Sequence, residues 1–192
     1  MRQGIMYRGG EFDGHQHISS PEGLEVLRKD LFLRTDLDIR GALEIEKGMP
    51  AYPLEPIGVR LIHMPMPGAA QTTLEHQKGV AEIFHILANP AIYPLYVHCW
   101  GGADRTGEIV LLLQALMGVT DEDLLTDYEM TSFGCWGPRS RNSPAFANIK
   151  AGLDAFGDDK TPMAVKAEAF LKAGGLSQLD IDILRGIFLK KL

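Results

Sequence analysis

Apolar residues follow one another almost without interruption from Ile109 to Met117 (IVLLLQALM), and this predicts a helix from about Thr106 to Met117 that is buried on every side. Gly118 supplies its stop. Immediately upstream, Tyr93 to His98 (YPLYVH) is a short apolar and aromatic run, read as a buried strand that starts after Pro94 because proline cannot join a ladder. Leu31 to Ile39 partly alternates, and Val59 to Met64 does the same; both are read as strands. Between them and the YPLYVH run, Val80, Ile83, Phe84 and Leu87 fall three and four apart. They form one stripe of a helix running from Thr72 or Thr73, as N-cap, to about Asn89.

Further helix starts are written as caps. Ser20-Pro21, Ser143-Pro144 and Thr161-Pro162 each pair a capping residue with proline at the first turn, and Ser177-x-x-Asp180 has the capping-box spacing. Asp121 to Phe133 reads as one more helix. Strands thus lie mostly in the first hundred residues, and the second half is helical. The alternation predicts a single α/β domain, residues 1–192, with a central, mostly parallel sheet of four or five strands and helices on both faces. No internal repeat or low-complexity tract divides the chain.

Composition narrows the possible partners. With 45% hydrophobic and 23% charged residues, the chain has ordinary globular makeup. No apolar run is long enough for a membrane span, and the N-terminus carries no apolar signal region, so stable membrane insertion is not expected. A cytoplasmic location is the default expectation, with a leader removed upstream of this numbering left open. A net charge of −6 argues against bulk nucleic-acid binding. Two cysteines, Cys99 and Cys135, are too few for a disulfide framework, so their chemistry is the question.

The chemistry concentrates in His98-Cys99-Trp100-Gly101-Gly102-Ala103-Asp104-Arg105-Thr106-Gly107, between the predicted strand and the apolar helix. A strand feeding a tight loop and then a helix N-terminus makes an anion site. Gly101 and Gly102 permit the backbone to turn successive N–H groups inward, so residues 100–105 can cradle a phosphate. Cys99 at the base of that cradle would be favoured as thiolate, able to attack phosphorus and form a cysteinyl-phosphate. Arg105, six positions on, can present a bidentate fork to two phosphate oxygens. The Thr106 hydroxyl can donate to the Cys99 sulfur as it leaves, and His98 can orient the loop. Trp100 either walls the pocket or packs against the domain.

His-Cys, five residues, Arg and then Thr resembles the signature of the protein-tyrosine phosphatase superfamily, with the expected glycine at Gly102. Tyr7-Arg8-Gly9-Gly10, Thr35 to Arg40, the Asp-Arg-Thr-Gly of the loop and Gly175 to Ser177 look like the atypical bacterial tyrosine phosphatases. The resemblance implies a dual-specificity-phosphatase-like fold and a phosphate monoester hydrolase needing no metal or other cofactor. Its substrate would be a phosphotyrosine protein or, alternatively, a phosphorylated small molecule or lipid head group. Ala103 stands where related lipid-acting enzymes often carry lysine, which weakens the lipid reading.

One departure matters. In most of the superfamily the general acid is an Asp on a mobile loop before the cysteine, yet no Asp occurs from Leu61 to Cys99, and Gly68 stands about where it would be. A phospho-binding protein without turnover is therefore a further reading. Asp104, the candidate acid in the atypical enzymes, faces a doubly charged phosphate and so has reason to hold a proton; Glu75 and His76 are the alternatives. Arg139 and Arg141 form a basic segment that could contact substrate or could simply be a solvated loop. Arg8 and Arg40, with Asp36 and Asp38, fit salt bridges beneath the site. His15-x-His17 lacks a matching ligand cluster and reads as a surface loop. Cys135 is read as a lone thiol, or as a redox partner should it reach Cys99.

Overall fold

A computed structural model describes residues 1–12, 19–46, 54–68, 71–134 and 137–189. Four strands pair in parallel: β1 (Met6–Gly9), β2 (Thr35–Asp38), β3 (Arg60–His63) and β4 (Leu95–His98), in the spatial order β1-β4-β2-β3. Register follows the strand ends. Gly9 lies beside His98, His98 beside Asp38, and Asp38 beside His63, so the four carboxyl ends finish together at one edge.

The period of two sorts the side chains of the central strands. Leu37, Leu95 and Val97 face one way, into the main core; Asp36, Asp38, Tyr96 and His98 face the other. The main core is completed by α3 (Gln77–Leu87), α4 (Arg105–Leu116), α5 (Asp121–Met130), α6 (Pro144–Asp154), α7 (Met163–Ala173) and α8 (Gln178–Phe188). α4 is buried along nearly its whole length, as its uninterrupted apolar pattern requires, and Gly118 ends it at φ +78°. The opposite face is thinner. Leu27, Leu33, Leu54, Val59 and Tyr96 pack there under α1 (Pro21–Glu25) and the π-helical turn that continues it, Val26–Asp30. The short α2 (Ala42–Glu46) follows β2.

The caps read from the sequence hold at three places. Ser20 accepts from the Gly23 amide, Ser143 from Phe146, and Ser177 forms a full capping box with Asp180. Other expectations are corrected. The strand read over Leu31–Ile39 shrinks to Thr35–Asp38, because the chain is still unwinding from the π turn: Phe32 has φ +50° and the Leu33 amide bonds to the Leu27 carbonyl. α3 begins at Gln77, not near Thr72. The Thr72 hydroxyl is spent on the Ile149 carbonyl and cannot cap. Pro162, not Thr161, takes the N-cap position of α7, and the Thr161 hydroxyl donates to Asp158. The helix from Asp121 tightens to a 3₁₀ turn at Thr131–Phe133.

β1 was not expected from periodicity. Its residues Met6–Gly9 are all half-buried, as suits an edge strand. What fixes it is the close approach of Gly9 to Tyr96: a Cβ on Gly9 would stand 1.9 Å from the tyrosine hydroxyl, which donates to the Gly10 carbonyl. Gly9→Ala should therefore push Tyr96 off that bond and cost about 1–3 kcal/mol of stability. Urea unfolding with an unchanged m-value measures this; a loss within a few tenths would mean the edge yields freely.

Candidate active site

The site stands where the carboxyl ends of the strands meet α4. β4 delivers His98 and Cys99, residues 100–104 turn sharply, and α4 begins with Arg105. Cys99 is 3% exposed, at the floor of the turn. Gly102 has φ +69°, and any Cβ there would lie 2.2 Å from the Gly9 carbonyl oxygen. Only glycine fits on both counts. Gly101, expected to share that freedom, does not adopt a positive φ. The Glu11 amide donates to the Trp100 carbonyl at 3.0 Å, so the segment after β1 braces the loop from outside. This is the physical content of the Tyr7-Arg8-Gly9-Gly10 motif. Ala103 is buried, Trp100 and Gly101 are half-buried, and a cavity of about 140 Å³ lies between Gly101, Gly102, Ala103 and the residues Thr131 and Gly134.

Arg105 is 8% exposed and tightly held. Its Nη1 and Nη2 donate to the two oxygens of Glu44 at 2.5 and 2.8 Å, and Nη1 also reaches the Met66 carbonyl at 3.3 Å. Glu44 Oε2 in turn accepts from the Gly41 amide at 2.5 Å. The fork expected to meet phosphate is thus filled at its end, while the side edge with Nε makes no hydrogen bond among the described residues. A guanidinium has two bidentate edges, and Glu44 takes one while fixing the direction of the other. Burial works against the Arg105 charge, but the Glu44 bonds outweigh it and raise its pKa; Arg105 likewise holds the Glu44 carboxyl below its usual range. Sequence reasoning missed Glu44, since nothing local connects it to a residue 61 positions away.

Beneath the loop lies a buried charge cluster. Asp38 and Arg40 pair at 2.6 Å, with the Arg40 Nε and backbone N–H also on Asp38. His98 Nδ1 is 2.8 Å from the Cys99 carbonyl, and Nε2 is 3.2 Å from Asp36 and 3.9 Å from Asp38. Burial disfavours a charged ring here, yet Asp36, by charge and hydrogen bond, and then Asp38 overcome it, and the imidazole pKa is pushed up to about 9. Arg40 and Asp38 thus pair as the spacing suggested. Arg8 does not join them; it pairs with Asp127 of α5 at 2.8 Å.

Asp104 occupies the N-cap position of α4 but does not cap it. Its half-exposed carboxylate is spanned by the Arg139 fork, with bonds of 3.1 and 3.2 Å. Arg141, the other basic residue of that segment, is clasped by Glu129 and Glu122. The Thr106 hydroxyl is fully buried and has no hydrogen-bond partner among the described residues, so its expected bond to the Cys99 sulfur is not formed. Glu75 is exposed, and His76, at the N-cap of α3, stacks its Nδ1 3.2 Å from the Thr73 hydroxyl. Their segment is tied down by a residue the sequence did not flag. Glu108, buried in the first turn of α4, accepts from the Gln71 and Thr72 amides at 2.6 and 3.1 Å. No cluster of potential metal ligands occurs among the described residues, and no described helix is long and apolar enough to cross a membrane. Cys135, Trp136, His15 and His17 lie outside the described residues.

This is the architecture of cysteine-dependent phosphatases. The core catalytic domain of the PP-IP phosphatase Siw14 from S. cerevisiae, solved with citrate, is similar with a TM-score of 0.55 at 19% identity, over 79% of this chain and 86% of that one. A second structure of the Siw14 catalytic core gives 0.54 at 17%, over 90% and 94%. TpbA from P. aeruginosa, solved as its C132S variant with pTyr, gives 0.45 at 16%, over 96% and 86%. No curated protein matches the chain at a significant level. The chain belongs to the tyrosine phosphatase family, whose model matches residues 1–190, and is a phosphoric monoester hydrolase.

Two outcomes follow from the electrostatics. His98 keeps its proton in the folded state above the ordinary value of 6.5, so its contribution to stability is complete below about pH 6.5 and is lost as pH rises through about 9. Thermal melting should fall across that window, and a melting temperature flat between these limits would contradict the cluster. Glu44→Gln should lose roughly tenfold or more in kcat/KM on an aryl phosphate with little change in melting, because one charge-assisted pair sets the Arg105 direction. Unchanged kinetics would mean Arg105 needs no such guide.

Proposed function

We propose that the protein hydrolyses phosphotyrosine through a cysteinyl-phosphate intermediate on Cys99. The observation that carries this is the Arg105 guanidinium, gripped at its end by Glu44 with its Nε edge left for an anion over the Cys99 loop. The loop amides and α4 N-terminus supply the remaining positive field, so no metal is required. The thiolate attacks phosphorus, the P–O bond to the leaving group breaks, and that oxygen takes a proton from Asp104. Water then attacks the cysteinyl-phosphate, Asp104 recovers a proton from it, and the sulfur leaves as thiolate. The unspent Thr106 hydroxyl is the donor available to that departing sulfur.

Arg139, whose fork clasps the Asp104 carboxylate here, must release it before Asp104 can take up a proton and act as the acid. It also supports a second reading. A cation at the mouth of the site can meet another phosphate on the same substrate, as in an inositol polyphosphate. Rates on phosphotyrosyl peptides, inositol phosphates and phosphoinositides, measured with EDTA present, separate the two; loss of all activity in EDTA would overturn the metal-free mechanism.

Cys99→Ser should abolish turnover while phosphate-ester binding persists, and wild-type activity should be lost on alkylation. Arg105→Lys keeps the charge but not the planar edge and should lose roughly two orders of magnitude in rate. A fewfold loss would place Arg105 away from the phosphate. For Asp104→Asn, a series of aryl phosphates of graded leaving-group acidity is decisive. The wild type should show a shallow dependence and the variant a steep one. Coinciding slopes would remove Asp104 as the acid and bring Glu75→Gln and His76→Ala into the same series.

A further inference from the structure

Asp104 and Arg139 hold each other in a form that cannot react. The Arg139 Nε and Nη2 donate to the two oxygens of Asp104 at 3.1 and 3.2 Å. A carboxylate that accepts at both oxygens has no proton to give, so the pair must part before a leaving group can be protonated. Its setting allows that. The Ser132 hydroxyl pins the Arg139 backbone at both its N–H and its carbonyl, at 2.8 and 3.0 Å, and only the side chain need turn. The Asp104 side chain is 52% exposed, and an ion pair this open to water is exchanged at small cost. Arg141, two positions on, is held differently: Glu129 and Glu122 grip its guanidinium between them.

What parts the pair must offer Arg139 another anion. The acidic side chains of α5, which leads into the turn that holds Arg139, are engaged elsewhere. Glu122 and Glu129 hold Arg141, Asp127 holds Arg8, Asp121 accepts from the Met163 amide, and Asp123 from Thr120. The scissile phosphate is answered by Arg105 and the loop amides in the reaction proposed above. The substrate is a further source of negative charge, and one that arrives only when the acid is needed. We propose that Arg139 is a latch on the general acid, opened by a substrate that carries a second phosphate beside the one to be cleaved. The Arg139 fork passes from Asp104 to the second phosphate, whose oxygens suit its planar edge. Asp104 then takes a proton from solvent and delivers it to the leaving oxygen as the P–O bond breaks. No covalent bond changes in the exchange of partners itself. The inference rests on Asp104 being the acid, as proposed above, and names the substrate class the site turns over fastest: esters with two phosphates on one small scaffold.

Phenyl phosphate and the ortho, meta and para phenylene bisphosphates test this, since they share an aryl leaving group that needs an acid and differ in the second anion. Single-turnover rates are the readout, so that the common hydrolysis of the cysteinyl-phosphate does not enter. A latch shows in the rate at saturation, a plain extra contact only in the concentration that half-saturates. Per scissile ester, the wild-type saturating rate should be roughly tenfold higher on at least one bisphosphate than on phenyl phosphate, a part of what a positioned acid contributes. Asp104→Asn should erase that rate gain and leave any gain in affinity. Arg139→Met keeps the length of the stem and removes the fork. It should raise the saturating rate on phenyl phosphate severalfold, because Asp104 is released, and bring it level with the bisphosphates. In the Asp104→Asn background the same substitution should raise nothing.

Equal saturating rates on phenyl phosphate and every bisphosphate in the wild type overturn the latch. So does a folded Arg139→Met variant that is no faster on phenyl phosphate. Should that variant fail to fold, the comparison of wild type with Asp104→Asn decides alone, and a rate gain that survives in Asp104→Asn is the contrary result. Leaving-group slopes that coincide for wild type and Asp104→Asn defeat Asp104 as the acid, and the latch with it. Distinct slopes with equal saturating rates defeat the latch alone.

Discussion

The backbone of Gly9 and Gly10 lies against the loop at Gly102 so closely that residue 102 has no room for a side chain, and Tyr96 leaves none at residue 9. A carbonyl oxygen occupies the place where a Cβ of residue 102 would be, and a tyrosine hydroxyl occupies that of residue 9. Everything at the site inherits this contact. It forces the left-handed turn that curls the loop over Cys99, it places the Trp100 carbonyl within reach of the Glu11 amide, and it makes an edge strand of a segment with little hydrophobic reason to be one. A loop of glycines would otherwise sample many shapes. Here one wall removes that freedom during folding, and the entropy of ordering the loop need not be met again when an anion arrives.

Charge is arranged in two tiers around that loop. Above, Arg105 and Glu44 form a pair that leaves one guanidinium edge in reserve. Below, two aspartates, an arginine and a histidine are sealed under the sheet ends. The overall charge of the protein is negative, so the approach of Arg105 to Cys99 is a matter of placement and not of composition. Arg105 is held by Glu44, and the His98 ring lies 3.2 Å from Asp36. Glu44 holds direction as much as charge, since a flexible arginine would serve an anion poorly.

Much of this was legible in the chain. The strand–loop–helix around Cys99 could be read because it joins two signals that rarely coincide, an apolar strand and an apolar helix separated by a glycine-rich polar decapeptide. Pro94 marked the start of β4 correctly, and three of the serine caps were readable as local chemistry. The failures share a cause. β1, the Arg105–Glu44 pair and the hold of Glu108 on Gln71 and Thr72 all depend on partners tens of residues away, which no local period encodes. Thr72 was misread for the same reason: a threonine near an apolar stripe looks like a cap until a distant carbonyl claims its hydroxyl. Asp104 was identified as a candidate, but its clasp by Arg139 could be seen only in three dimensions.

The tether made by Glu108 has a wider meaning. In the superfamily this chain resembles, the segment before α3 is the one that swings to bring an acid over the substrate. Here the same helix that carries Arg105 reaches back with a buried carboxylate and fastens two consecutive amides of that segment. Glu108 thus joins that segment to the helix that carries Arg105. A segment already fastened in this way has less freedom to lose when a ligand arrives than one that must first be drawn in.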